Sequence, residues 1–92
     1  MFLRINNIKF SSTIEADSMR ALAKYEMIDN IPGILSIESI NISELHTIVI
    51  LKFDTEESAK KSREIYINKM KKNPNLRVES FEGARDFIVE KS

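Results

Sequence analysis

His46 is the one histidine in the chain. Histidine titrates near neutrality, so His46 is the residue to act as general acid or base if this protein turns over a substrate. It opens the stretch "HTIVILKF" (46–53) and would lie beside Glu38 if the preceding turn, "SEL", is as short as it looks. A histidine at a strand entrance is also commonly just half-exposed, and both readings stand on the sequence alone. Arg4, Glu38, Arg77 and Glu79 supply charges of both signs, which suits pairing across strands or recognition of a carboxylate or enolate by an arginine. Asn6 adds an amide near Arg4. Ile40, Ile48, Ile50 and Phe81 offer an apolar lining for an aliphatic or amphipathic small molecule, anchored at one end by a charged group. A long-chain acid or ketone has that shape.

Other chemistries are excluded by composition. The 92 residues contain no cysteine, which removes disulfides, thiolate metal sites and cysteine nucleophiles. One histidine excludes a multi-histidine metal site, and neither "DTEES" nor "VESFEG" has the spacing of a calcium loop. No metal and no cofactor are therefore expected. Lysine plus arginine number 14 and aspartate plus glutamate 14, a balance that argues against duplex DNA or an anionic membrane as partner. No apolar run approaches the ~18 residues of a membrane span, and "MFLRINNIKF" lacks a signal-peptide core. The expected address is the cytoplasm.

The elements that must position these residues follow from periodicity. "MFLRINNIKF" suits a first strand from Phe2 to Lys9. "SSTIEADSMRALAKYEMIDN" is a helix with Ser12 and Glu15 as a capping box and a stripe through Met19, Leu22, Ala23 and Met27, flanked by Ile14, Ala21, Tyr25 and Ile28. "Ile31-Pro32-Gly33" stops it. "ILSIESINI" is a second strand that switches parity, which a bulge explains. It forms a hairpin with "HTIVILKF". Asp54 is the expected N-cap of a second helix, with Glu57 three residues on and a stripe through Ala59, Ser62, Tyr66 and Met70 beside Ile65. "Asn73-Pro74-Asn75" breaks that helix, and "LRVESF" is a fourth strand. The tail turns at Glu82-Gly83 and offers a short fifth strand through Phe87, Ile88 and Val89.

Strand, helix, strand, strand, helix, strand is the ferredoxin-like order, an α+β sandwich in which one antiparallel sheet of four strands carries both helices on one side. The whole chain, 1–92, makes a single domain. Right-handed crossovers place strands one and three in the middle. The helix-facing set is then Thr47, Val49, Leu51 and Phe53 with Leu3, Ile5, Leu35, Ile37, Leu76 and Val78. The opposite face receives Phe2, Arg4, Asn6 and Ile8 from strand one, Ile34, Ser36, Glu38, Ile40 and Ile42 from strand two, His46, Ile48, Ile50 and Lys52 from strand three, and Arg77, Glu79 and Phe81 from strand four. A sheet face left to water normally carries the polar half of an alternation. Burying even three of these isoleucines is worth roughly 5 to 9 kcal/mol, at about 1.5–3 each. A second copy of the chain, a ligand, or both must cover the face. Scattered surface isoleucines are also ordinary in soluble proteins, which is the alternative.

In element order the chain resembles the dimeric α/β-barrel group of ferredoxin-like proteins and its antibiotic-biosynthesis-monooxygenase-like branch. The segments that carry the resemblance are "NIPGILSIES", "TIVILKFDTEESAKKSRE" and the C-terminal extra strand. It implies a homodimer in which two sheets face one another, a C-terminal segment that reaches toward the partner, and a small-molecule site between sheet and helices. Members that oxygenate without a cofactor or degrade haem use tryptophan, histidine and asparagine together. This chain has no tryptophan, and His46 with Asn6 are its residues of those types placed for a cavity.

The expected function is a homodimer that binds a small apolar or amphipathic molecule against its sheet, whether or not it is an enzyme. Two alternatives accompany it: a cofactor-independent monooxygenase or isomerase with His46 as proton carrier, and a non-catalytic regulatory or assembly module. RNA-recognition domains share the plan but need exposed aromatics in a Gly-rich motif on the central strands. "TIVILKF" has no glycine, and Phe53 falls on the helix side, so no nucleic-acid partner is expected. "KFSSTIEA" likewise lacks the Gly-rich phosphate cradle of an acylphosphatase.

Overall fold

Along 46–53 burial alternates without a break, with Thr47, Val49, Leu51 and Phe53 buried and His46, Ile48, Ile50 and Lys52 half-exposed. That pattern requires one covered face and one open face. A computed structural model describes residues 1–71 and 77–92, the side chains of 66–71 excepted. The chain folds as β1 (Phe2–Lys9), α1 (Thr13–Ala21), a π-helical segment (Leu22–Glu26), α2 (Met27–Asn30), β2 (Ile34–Ser43), β3 (His46–Phe53), α3 (Glu56–Lys71) and β4 (Arg77–Ala84). The strands form one antiparallel sheet in the order β2-β3-β1-β4. This is the expected ferredoxin-like α+β plan, with β1 and β3 central.

Local chemistry accounts for most boundaries. Ser12 caps α1 by accepting from the Glu15 amide at 3.2 Å. The Glu15 carboxylate reaches back to the amide and hydroxyl of Ser11, one residue earlier than a standard capping box. From α1 to α2 the helix runs on continuously, but at Met27 its amide donates to Leu22 rather than Ala23, the signature of a π-turn. Asn30 ends the stretch, Ile31 is extended, and Gly33 takes a positive φ of 79° to enter β2. The β2–β3 hairpin closes on Glu44-Leu45, with Ser43 opposite His46. Thr55, not Asp54, caps α3: its hydroxyl accepts from the Ser58 amide at 3.1 Å. Asp54 instead accepts side-chain hydrogen bonds from Ser58 and Thr55, which hold its carboxyl below the usual range.

Register corrects the face assigned to β1. Phe2 pairs with Phe53, Arg4 with Leu51, Asn6 with Val49 and Ile8 with Thr47. All four therefore face the helices, and Leu3, Ile5, Asn7 and Lys9 lie on the open side. In β2, register shifts between Ile34 and Ser36 and between Asn41 and Ser43 put Ile34 and Ile37 on the helix side and leave Leu35 and Ile42 exposed at the irregularities. β4 does not turn at Glu82-Gly83. It continues to Ala84 opposite Phe2, because Gly83 simply faces Leu3 in the ladder. Residues 85–92 carry no strand, and Phe87, Ile88 and Val89 are exposed. A strand needs a neighbour to accept its backbone groups, and the described part of the chain brings none to them.

The core lies between sheet and helices: Phe2, Ile8, Phe10, Val49, Leu51 and Phe53 from the sheet side meet Ala16, Ile31 and Ala59. Met19, Leu22 and Met27 pack against it as expected, whereas Ile14 and Tyr25 are exposed. On α3, Ala59 and Ser62 are buried and Ile65 is exposed. The expected packing of Tyr66, Met70 and Leu76, and the break at Asn73-Pro74-Asn75, lie outside the described residues.

Candidate functional site

Two surfaces compete for function, and β3 separates them. On the helix side, α1, the π-helical segment and α2 stand off the sheet around a cavity of about 680 Å³. Its sheet wall is Asn6, Ile8, Ile37, Thr47, Val49 and Leu51; Phe10 closes one end, and Met19, Leu22, Ala23, Met27 and Ile28 form the helical wall. Ser18, Arg20, Lys24 and Ser39 complete the lining. A helix of small and flexible side chains cannot fill the space above a twisted sheet, since alanine is short and methionine adapts to gaps. Interiors normally hold few voids larger than a water molecule. This space lies instead in the ~300–1,000 Å³ range of ligand sites.

Polar groups in the wall are few and placed. Arg20 crosses from α1 to the hairpin, where Nη2 donates to Thr47 Oγ1 at 3.1 Å, Asn41 Oδ1 at 3.3 Å and the Ser43 carbonyl at 3.5 Å. Its Nη1 lies 3.7 Å from the exposed Asp17 carboxylate. Asn6 Oδ1 accepts from the Ser80 hydroxyl.

The open face carries most of the residues singled out from sequence. Across one row lie Phe81, Ile5, Ile50 and Glu38, and across the next Glu79, Asn7, Ile48 and Ile40. Ile5, Ile40 and Phe81 are among the exposed large apolar residues. His46 sits at the end of this face, with Nε2 2.5 Å from Asn7 Oδ1. An amide oxygen only accepts, so Nε2 is the donor in this contact. Glu38 is not its neighbour: it pairs with Ile50, while His46 pairs with Ser43. Asn7 was missed because β1 was read in the wrong parity.

Arg4 and Asn6 leave this group. Asn6 joins the cavity wall. Arg4 is buried beneath α3, where Nε donates to Glu82 at 3.0 Å, Nη1 to Ser62 Oγ at 3.0 Å and Nη2 to the Ala59 carbonyl at 2.6 Å, with its guanidinium over the Phe53 ring. Arg63 closes on the other Glu82 oxygen at 2.5 Å. Burial pushes the Glu82 carboxyl up, but hydrogen bonds and charge from Arg4 and Arg63 outweigh it and hold the group below its ordinary range. The cluster is satisfied on every side and has no opening for a ligand, so Arg4 is a structural residue.

Among the described residues no group of three or more acids and histidines is arranged to hold a metal, and no helix is long and apolar enough to cross a membrane. No family model matches the sequence, and no curated protein matches it. Solved structures do match in shape. A dimeric ferredoxin-like protein from an uncultured marine organism aligns with a TM-score of 0.69 at 16% identity, covering 98% of both chains. HapK from Hahella chejuensis aligns with 0.73 at 12% identity, over 100% of this chain and 99% of its own. An arginine-to-serine mutant of MhuD, solved with two manganese protoporphyrin IX bound per active site, aligns with 0.68 at 15% identity, over 99% and 100%. At these identities the likeness is one of fold, and the expected resemblance to dimeric ferredoxin-like proteins holds at that level.

Proposed function

We propose that the protein is a homodimeric small-molecule binder, with one apolar or amphipathic ligand in the cavity of each chain and a second copy closing the open sheet face. The cavity of about 680 Å³ is the observation that supports the reading. A chain of 92 residues has little core to spare, and an unfilled space of this size forfeits dispersion contacts all along its walls. In this reading Asn6 belongs to the ligand, Ile40, Ile48, Ile50 and Phe81 to the partner, and Glu38 to the polar rim between subunits. The dimeric marine neighbour supports a twofold assembly.

A porphyrin, as held by the MhuD neighbour, is a poor fit to this wall. Among the described residues it contains no histidine, cysteine or tyrosine to ligate iron, and His46 points to the other face. Native mass spectrometry of the protein purified without added ligand tests the proposal. A dimer carrying a retained organic mass is the expected result. A monomer without adduct, unable to take up any apolar probe, overturns it.

A catalytic reading rests on the His46–Asn7 contact, which holds the imidazole at the end of the open face. Its substrate would lie between subunits and not in the cavity. Under that reading His46→Ala abolishes turnover and spares the cavity. If a turnover assay finds an activity that His46→Ala leaves intact, the histidine is not its proton carrier.

A further inference from the structure

We infer that the cavity selects an amphiphile with a single anionic head, of the class of a long-chain monocarboxylate. The inference rests on the ligand-binding reading above and specifies its chemistry.

Among the described residues the wall is apolar apart from a few side chains, and its only charged ones are Arg20 and Lys24. No aspartate or glutamate among the described residues lines it, although the chain as a whole carries 14 acids against 14 bases. The two cations stand four positions apart on the same helical stretch, so they share one side of it. Lys24 lies within the π-helical segment that begins at Leu22, two residues after Arg20, and single π-turns within helices occur frequently at functional sites.

Arg20 is held in place rather than neutralised. Its three hydrogen bonds go to neutral acceptors, all from Nη2, and its one carboxylate contact is the 3.7 Å approach of Asp17, an exposed side chain. Nε has no partner among the described residues. A guanidinium fixed by neutral groups, with donors unspent at the rim of an apolar space, recognises a carboxylate through charge-assisted hydrogen bonds. Lys24 makes no salt bridge among the described residues and lies over the Tyr25 ring. As a flexible second cation it extends the positive potential at the opening.

Calorimetric titration of the intact protein with laurate, dodecanol and dodecyltrimethylammonium tests the inference, since the three share a chain and differ in head charge. Laurate is expected to bind about tenfold or more tightly than dodecanol, the equivalent of one charged hydrogen bond, and the cationic amphiphile most weakly. Arg20→Gln should erase the preference for laurate over dodecanol. Lys24→Gln, on an exposed site that cannot threaten folding, should reduce it in part. Equal binding of laurate and dodecanol to the wild type overturns the anionic head but leaves the cavity reading intact. Binding of none of the three overturns both. Ala23→Trp fills the cavity, so laurate binding that survives it places the amphiphile elsewhere and also overturns the inference.

Discussion

Arg4 shows why burial and polarity have to be judged together. In "FLRINNIK" the polar Arg4 and Asn6 share a parity with Phe2 and Ile8, and an alternation rule sends the polar pair to solvent. The fold instead buries Arg4 because β4 and α3 deliver partners for its donors: Glu82, Ser62 and the Ala59 carbonyl. All three of these partners lie more than fifty positions away, so no local pattern announces them. The asymmetry of the cluster is testable. Glu82→Ala strands a buried guanidinium and should cost about 3–5 kcal/mol in urea unfolding. Arg4→Met leaves Glu82 its second arginine and should cost less, about 1–3 kcal/mol. The lowered Glu82 carboxyl also fixes the sign of a pH effect. Its contribution is complete above the ordinary glutamate range and is lost as pH falls through the depressed folded value. Below pH about 4 the wild type should therefore lose stability more steeply than Glu82→Gln.

Among the elements, helices, strands and the hairpin were legible because each carries its own punctuation. Ser12, Pro32-Gly33 and the short turn before His46 fall where the chain turns, and they decide topology. What was not legible depends on contacts between elements. A bulge in β2 was legible from its switch of parity, but the two places where the register shifts, between Ile34 and Ser36 and between Asn41 and Ser43, follow from pairing with β3. The α3 cap falls on Thr55 and not Asp54, whose amide donates to the Gly33 carbonyl. That contact makes Gly33 the sensitive position. Its φ is positive, and a Cβ there would collide with the Ser58 side chain and the Asp54 carboxylate, while its carbonyl accepts from the Asp54 amide at 2.9 Å. Gly33→Ala combines backbone strain of about 1–3 kcal/mol with that collision. Its unfolding midpoint should fall markedly, whereas Gly83→Ala, with open space around the position, should be close to neutral. The π-turn had no sequence signature at all: "LAKYE" reads as ordinary helix, and only the cavity beside it gives the extra residue a purpose.

For the whole molecule, the order of elements implied the four-stranded sheet that is observed, and the surplus of apolar residues implied the apolar open face on which Ile5, Ile40 and Phe81 are exposed. The cavity lies between sheet and helices, where the family resemblance implied a small-molecule site, but its lining could not be read residue by residue, because a cavity is what side chains fail to fill. β3 is the shared wall of the two compartments. Thr47, Val49 and Leu51 line the cavity, and Ile48 and Ile50 face outward one residue away. Filling one side therefore bears on the strand that the other side grips. In thermodynamic terms, where the open face dimerises and the cavity binds as proposed, dimer strength and ligand affinity become linked quantities, and each must change the other by the same factor. Ile50→Asp places a charge in the centre of the open face and should sediment as a folded monomer. If the linkage is positive, that monomer also binds laurate less tightly than the wild type, although the substitution touches no cavity residue. A folded Ile50→Asp dimer rules out the face-to-face assembly. A monomer with undiminished affinity means that the strand insulates its two sides, and each chain then samples its ligand independently of its partner.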